Sequence, residues 1–173
     1  MTMTAVRRII SEEQIRRRVA ELAVQIQTDL PGPLSIIVVL NGAFMFAADL
    51  VRHMEGEIAL DFTTISSYRA DATSPAELRI LRDVDIPIRG QDVLIVEDIV
   101  DTGRTVSYLQ ERLRTRGSRV LRTVCLLNKP RRREVDVTVD YIGFTIADQF
   151  VVGYGLDYDG QYRNLPYIAA LGE

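Results

Sequence analysis

A parallel α/β sheet covered by helices on both faces, with a small β-rich hood at its C-terminal end, is the fold class that the sequence predicts. Two observations carry it. Apolar runs of strand length alternate with segments whose apolar residues recur at helical spacing, the pattern of a sheet buried on both faces. From Pro130 onward the alternation gives way to short strands, many aromatics and several glycines. One domain is expected over residues 1–173, of which 47% are hydrophobic and 26% charged, ordinary composition for one sizeable core. No internal repeat, low-complexity tract or Pro/Gly/Ser linker divides it.

Ser11, followed by Glu12 and Glu13 and with Gln14 three residues on, reads as a helix N-cap leading into EQIRRRVAELAVQIQTDL. Ile15, Val19, Leu22 and Ile26 mark its buried stripe. Pro31, Gly32 and Pro33 stop it, and LSIIVVL (34–40) follows as a strand covered on both faces. Asn41 and Gly42 turn the chain into AFMFAADLVRHM, whose apolar stripe is helical. IALDFTTISSY (58–68), rich in β-branched and aromatic residues, reads as a strand. The polar RADATSPAE reads as a mobile loop before a further strand in LRILRDVDI. QDVLIVEDIVDTGRTVSYLQERLRTRG (91–117) repeats strand, loop and helix, closed by Gly117 as a C-cap. RVLRTVCLLNK is another apolar strand. Ligands of open α/β sheets sit beyond the carboxyl ends of the strands at a switch point, so the loops after Leu40, Val96 and Lys129 are expected to face one site.

Composition excludes several classes of function. The net charge is −3 and the sequence pI about 5.3, so no overall positive field draws the chain to a nucleic-acid backbone or an anionic membrane. The single cysteine, Cys125, lies in an apolar run and reads as a buried thiol. The first residues contain no apolar signal region, and no stretch approaches the roughly 18 apolar residues of a membrane span. A cytoplasmic enzyme of small-molecule chemistry is the expectation.

VLIVEDIVDTGRT (93–105) is the most informative segment. Four apolar residues run into two adjacent carboxylates, Glu97 and Asp98, with Asp101 three residues on. Three acids at one strand end are costly unless cations or hydroxyls satisfy them. Thr102, Gly103, Arg104 and Thr105 then open a helix, offering free backbone N–H groups, two hydroxyls and the positive end of the helix dipole. A ligand carrying both hydroxyls and a phosphate reconciles the two halves, and a phosphorylated ribose is the natural candidate. Asp101 or Thr102 as a plain N-cap is the simpler alternative, but it leaves the acid pair unexplained. The segment is not a GxxxxGK[ST] loop, so nucleoside triphosphate hydrolysis fits poorly.

The segment resembles the phosphoribosyl pyrophosphate (PRPP) signature of type I phosphoribosyltransferases. Its EDIVDTGRT form, with VLNGAFMFAADL upstream and FVVGYGLDYDGQYRNLPYI downstream, is similar to hypoxanthine–guanine phosphoribosyltransferases over nearly the whole chain. The resemblance implies a type I phosphoribosyltransferase fold with 130–173 contributing a base-binding hood. It also implies purine salvage: transfer of the phosphoribosyl group from PRPP to hypoxanthine or guanine, giving IMP or GMP and pyrophosphate, with Mg²⁺ as cofactor.

Residue by residue, the resemblance implies that Glu97 and Asp98 bind the ribose hydroxyls and, with Asp157, help hold magnesium. Asp101 to Thr105 (Asp101, Thr102, Gly103, Arg104, Thr105) hold the 5′-phosphate, and Asp101 is the catalytic acid or base near the purine N7. Leu40, Asn41 and Gly42 form the pyrophosphate loop, joined by Arg163. Many relatives carry a cation where Asn41 stands, and asparagine donates a hydrogen bond without charge. The loop often holds a non-proline cis peptide before its second residue. Lys129, Phe150, Val151 and Asp157 read the purine, Lys129 through its exocyclic oxygen. Ser67 and Tyr68 begin a mobile loop that closes over the substrates.

Each of these residues has a plainer reading when taken alone. Lys129 reads as a solvated lysine, Phe150 as core, Asp157 as a turn acid, Arg163 as a surface arginine, and Ser67 and Tyr68 as a strand end. Arg131 to Arg133 read as a solvated face or a subunit contact. Xanthine stays open as a substrate. A regulator that keeps the fold but binds nucleic acid is the alternative of another class, and it requires a basic surface or an added domain that the sequence does not show. Self-association into a homodimer or homotetramer is expected by resemblance only.

Overall fold

The structure is a computed structural model and describes residues 6–68 and 77–172. Among these, six strands form one sheet in the order β4-β3-β2-β5-β6-β7. They are β2 (Leu34–Leu40), β3 (Ile58–Tyr68), β4 (Glu77–Arg82), β5 (Asp92–Val100), β6 (Val120–Asn128) and β7 (Tyr141–Thr145). β2 pairs in parallel with both β3 and β5, β5 with β6, and β6 with β7. A three-stranded sheet, β1-β9-β8, joins the two ends of the chain through β1 (Val6–Ile10), β8 (Val151–Val152) and β9 (Ile168–Leu171).

Helix α1 (Glu12–Asp29) starts at Ser11 with the expected capping box. The Gln14 N–H donates to the Ser11 hydroxyl at 3.2 Å, and the Ser11 N–H donates to the Gln14 side chain at 2.8 Å. Its Ile15, Val19, Leu22 and Ile26 join Phe46 and Leu50 of α2 (Phe44–Arg52) in covering Ile36, Val38, Leu94 and Val96 on one face of the sheet. On the other face, Leu109 and Leu113 of α3 (Arg104–Thr115) cover Ile37, Val39, Val93 and Ile95. The period of two along each strand divides the two cores. From β2 the chain crosses to β3 on one side, and from β5 to β6 on the other. Right-handed crossovers in opposite directions put α2 and α3 on opposite faces and open a crevice between the ends of β2 and β5.

The structure departs from the sequence reading in four places. Glu97 and Asp98 lie inside β5, which continues to Val100, so the loops of the site begin after Leu40, Val100 and Asn128. LRILRDVDI leaves the sheet after Arg82, and β4 runs antiparallel to β3. Residues 69–76 are too few for a parallel crossover, which needs about a dozen or more. The chain after β4 turns away because Asp61 accepts the N–H groups of Asp85 and Ile86 at 2.6 and 3.1 Å. β7 extends the main sheet rather than the hood, where Arg18 of α1 donates to the Ile142 and Gly143 carbonyls at 2.9 and 3.1 Å. Finally, the hood is completed by β1, a strand the sequence did not announce because VRRII has no alternation to distinguish it.

Candidate active site

The cleft lies at the crevice between β2 and β5 and encloses about 320 Å³. Asn41 and Gly42 enter it after β2, Asp98, Ile99 and Asp101 from the end of β5, and Lys129 after β6. Phe150, Val151, Leu156, Asp157 and Arg163 line it from the hood side. Nine residues expected from the sequence therefore converge there, together with Ile99 and Leu156, which had no polar atom to single them out. Leu40, Glu97 and the turn Thr102, Gly103, Arg104 and Thr105 do not line this volume. Ser67 and Tyr68 end the backbone of β3 opposite Leu78 and Glu77. The loop expected after them, at 69–76, lies outside the described residues.

The Leu40–Asn41 peptide is cis. Gly42 lies so close to β5 that a Cβ there would fall 1.5 Å from Oδ2 of Asp98. Its own carbonyl stands 2.1 Å from where a Cβ on Gly155 would lie, at a φ of +100° that favours glycine. Two glycines thus let the β2 loop, the β5 acids and the hood meet without intervening side chains.

The two acids of β5 differ. The Asp98 carboxylate accepts the Ile99 N–H at 2.6 Å and faces the cleft. Burial pushes it above the ordinary carboxylate range, opposed by hydrogen bonds from Glu97 and the backbone and by the charge of Arg163. Glu97 is buried, with Oε1 accepting the Asp98 N–H at 3.3 Å and Oε2 without a hydrogen-bond partner. Burial first, and then the neighbouring Asp98 charge, pushes it well above the ordinary range. Cys125 behind them is buried, and its thiol is pushed up to about 12 by that burial.

On the hood side, Asp157 accepts the Gly160 N–H at 2.9 Å and pairs with Arg163 at 2.7 Å. Arg163 also donates to the Gly155 carbonyl at 2.6 Å, so its guanidinium is held in place. Lys129 is only 7% exposed, not the solvated lysine its sequence context allowed, and its Nζ stands 4.0 Å from Asp148. Phe150 is 55% exposed and meets Tyr158 edge to face with ring centroids 5.6 Å apart, so it is not core. The Asp101 carboxylate accepts from Arg132 at 3.1 Å. Gly103, with φ +84°, is the N-cap of α3, and Arg104 pairs with Glu134 at 2.7 Å.

Among the described residues no three His, Cys, Asp or Glu side chains gather as a metal-ligand set, and no helix is long and apolar enough to cross a membrane.

A mainly parallel sheet with acids at the crevice between β2 and β5 is the arrangement of a phosphoribosyltransferase, and the phosphoribosyl transferase domain family matches residues 6–159. The hypoxanthine-guanine phosphoribosyltransferase of Bacillus subtilis is 43% identical over 94% of this chain and 91% of its own. The hypoxanthine phosphoribosyltransferase of Escherichia coli K12 is 47% identical over 92% of both. A solved hypoxanthine-guanine phosphoribosyltransferase of Bacillus anthracis superimposes with a TM-score of 0.91 at 43% identity, covering 95% of this chain and 98% of that one. A hypoxanthine phosphoribosyltransferase of Trypanosoma cruzi, solved as a ternary substrates complex, gives 0.91 at 41% identity over 98% and 96%. The chain belongs to the hypoxanthine–guanine phosphoribosyltransferase family.

Proposed function

We propose that the protein works in purine salvage, transferring the 5-phosphoribosyl group of PRPP to hypoxanthine or guanine and releasing pyrophosphate with IMP or GMP. The observation that carries this reading is the convergence of a buried lysine and an exposed phenylalanine on a cleft that also holds Asp98 and Asp101. Phe150 offers a free ring face for a base to stack on. Lys129 is a donor only. It accepts a partner in the 6-oxo group of hypoxanthine or guanine and meets a second donor in the amino group of adenine, which argues against adenine.

Asp101 is assigned as the acid or base that exchanges a proton with the purine while the bond to the anomeric carbon forms. Asp98 and Glu97 are assigned to the ribose hydroxyls, Asp98 from the lining of the cleft and Glu97 from behind it. The negative charge that the pair retains favours the cationic sugar of an oxocarbenium-like transition state. Thr102 to Thr105 are assigned to the 5′-phosphate. Leu40, Asn41 and Gly42 with Arg163 are assigned to pyrophosphate, where Arg163 supplies the charge that Asn41 lacks. Val151 and Asp157 complete the purine wall.

The acid set fits Mg²⁺. This ion keeps several waters and is held by one or two carboxylates plus substrate phosphates rather than by an all-protein cage, which agrees with the two partly buried acids, Asp98 and Asp157, that line the cleft. Asp98 and Asp157, which line the cleft, and Glu97 behind them are the residues assigned to it. When bound, it supplies charge neutralisation for the leaving diphosphate. The part of residues 130–173 that follows β7, with β1, acts as the base-binding hood, and Ser67 and Tyr68 begin the loop that closes on the substrates. Cytoplasmic location and self-association as a homodimer or homotetramer belong to the same reading and rest on the family likeness.

The test is a turnover assay with PRPP, Mg²⁺ and each of hypoxanthine, guanine, xanthine and adenine. Pyrophosphate release is expected with the first two and not with adenine. Asp101→Asn is expected to lower kcat, and Lys129→Ala to erode the preference for 6-oxopurines. Wild-type kinetics in both variants would remove the assignment.

A further inference from the structure

The segment Arg132–Val135 lies against the turn after β5, with Arg132 and Glu134 exposed and Arg133 partly buried, and we propose that it is a positioning strap, with Arg133 as its principal residue, that aims the amides of Asp101, Thr102 and Gly103 at the bound anion. The Arg133 guanidinium donates to the Val100 carbonyl at 2.7 Å, to the Asp101 carbonyl, and to the Asn128 side chain at the end of β6. The N–H groups of Glu134 and Val135 donate to the Thr102 carbonyl at 3.0 and 3.4 Å. Three successive carbonyls, those of residues 100, 101 and 102, are therefore turned toward one strap.

The consequence is geometric. These peptides are trans, since the one cis bond among the described residues is at Leu40–Asn41. In a planar trans peptide the carbonyl and the N–H that follows point in opposite directions. Holding the three carbonyls behind the turn directs the next three N–H groups away from the strap, and successive amides aimed one way form an anion-binding nest. The first turn of α3 continues it with the positive end of the helix. The fit is close: a Cβ on Gly103 would come within 2.8 Å of Val137 and 3.3 Å of the Arg133 stem. Side chains reinforce it, with Arg132 on the Asp101 carboxylate at 3.1 Å and Glu134 on Arg104 at 2.7 Å. Amides held before the ligand arrives do not have to be ordered by it, which is the physical advantage of such a strap.

The proposal rests on the reading of Asp101–Thr105 as the 5′-phosphate site, so its test compares ligands with and without that phosphate. Arg133→Met keeps the aliphatic stem and removes the donors. The dissociation constant of GMP and the KM for PRPP are each expected to rise about tenfold, with guanosine binding and kcat changed less than about threefold. Arg133→Lys, with a shorter reach and no fork, is expected to fall between, and it decides the matter if Arg133→Met does not fold. Thr105→Ala, in the turn itself, probes the underlying reading. Wild-type GMP affinity in a folded Arg133 variant, while Thr105→Ala weakens GMP, would overturn the strap alone. Wild-type affinity in Thr105→Ala and the Arg133 variants together would overturn the phosphate site and the strap with it. Equal weakening of GMP and guanosine in the Arg133 variants would reduce Arg133 to general structural support and also sink the proposal.

Discussion

An alanine at Gly42 would have to displace the Asp98 carboxylate or move the β2 loop, since the added methyl has no room beside Oδ2. Either shift moves a group assigned to the ribose by an ångström or more. Displacements of that size at a reacting centre cost roughly 10²-fold in rate, so Gly42→Ala is expected to lower kcat/KM by about that factor while circular dichroism stays native. Near-wild-type turnover would show that the contact is not needed. The same scale explains why sequence patterns alone misjudge single residues. Phe150 sits in an apolar FVV run yet leaves its ring in the open, and Lys129 follows a strand yet is buried. Which of these side chains faces the cleft is set by strands brought up from elsewhere in the chain.

The elements that carry the site depend on their own ends. Ser11 and Gln14 satisfy each other's backbone N–H groups at the start of α1. Ser11→Ala is expected to cost about 1 kcal/mol, read as a fall of roughly 2–4 °C in Tm; an unchanged melt would mean that water replaces the cap. At the other side of the sheet, Asp83 ties the segment after β4 to α3 through Arg112 and, at 3.4 Å, Arg116. The hydrogen bond from the Arg112 guanidinium holds the Asp83 carboxyl below its ordinary value near 3.8. A lowered folded pKa means that the unfolded chain binds the proton first. The stabilisation is therefore whole above the ordinary value and is lost as pH falls through the folded one, below about pH 4. Asp83→Asn is expected to lower stability at neutral pH and to flatten the acid limb of a urea-melt pH series; a limb as steep as that of the wild type would assign the loss to other carboxylates.

For the whole molecule, the separation of folding from metal binding is the testable property. Both cores are apolar and closed over the sheet, and no described cluster needs an ion to hold it together. A chelator is therefore expected to abolish turnover while leaving the Tm of the substrate-free protein unchanged. PRPP with Mg²⁺ is expected to raise that Tm, by about 2.7 kcal/mol of stabilisation at a hundredfold excess over Kd, and the chelator to erase the rise. A substrate-free protein that melts earlier in chelator would place a structural metal in the fold.

Local pattern was enough for α1 with its cap, the two-sided burial of β2, the strand–turn–helix at residues 91–117, and the acid-then-amide order of EDIVDTGRT. Those features repeat at 2 or 3.6 residues or lie within a few positions of one another, so the order of residues carries them directly. Four things came only with the tertiary structure: the antiparallel turn-back of β4, the capture of β7 by the main sheet, the closing of the hood by β1, and the placing of Arg132–Val135 behind the turn that follows β5. Each depends on which neighbour a segment takes through backbone hydrogen bonds, a carboxylate or guanidinium reach, interactions that many residues along the chain can make. Composition cannot single out which partner is taken, because that choice is made by which chain segments the sheet order brings within bonding distance.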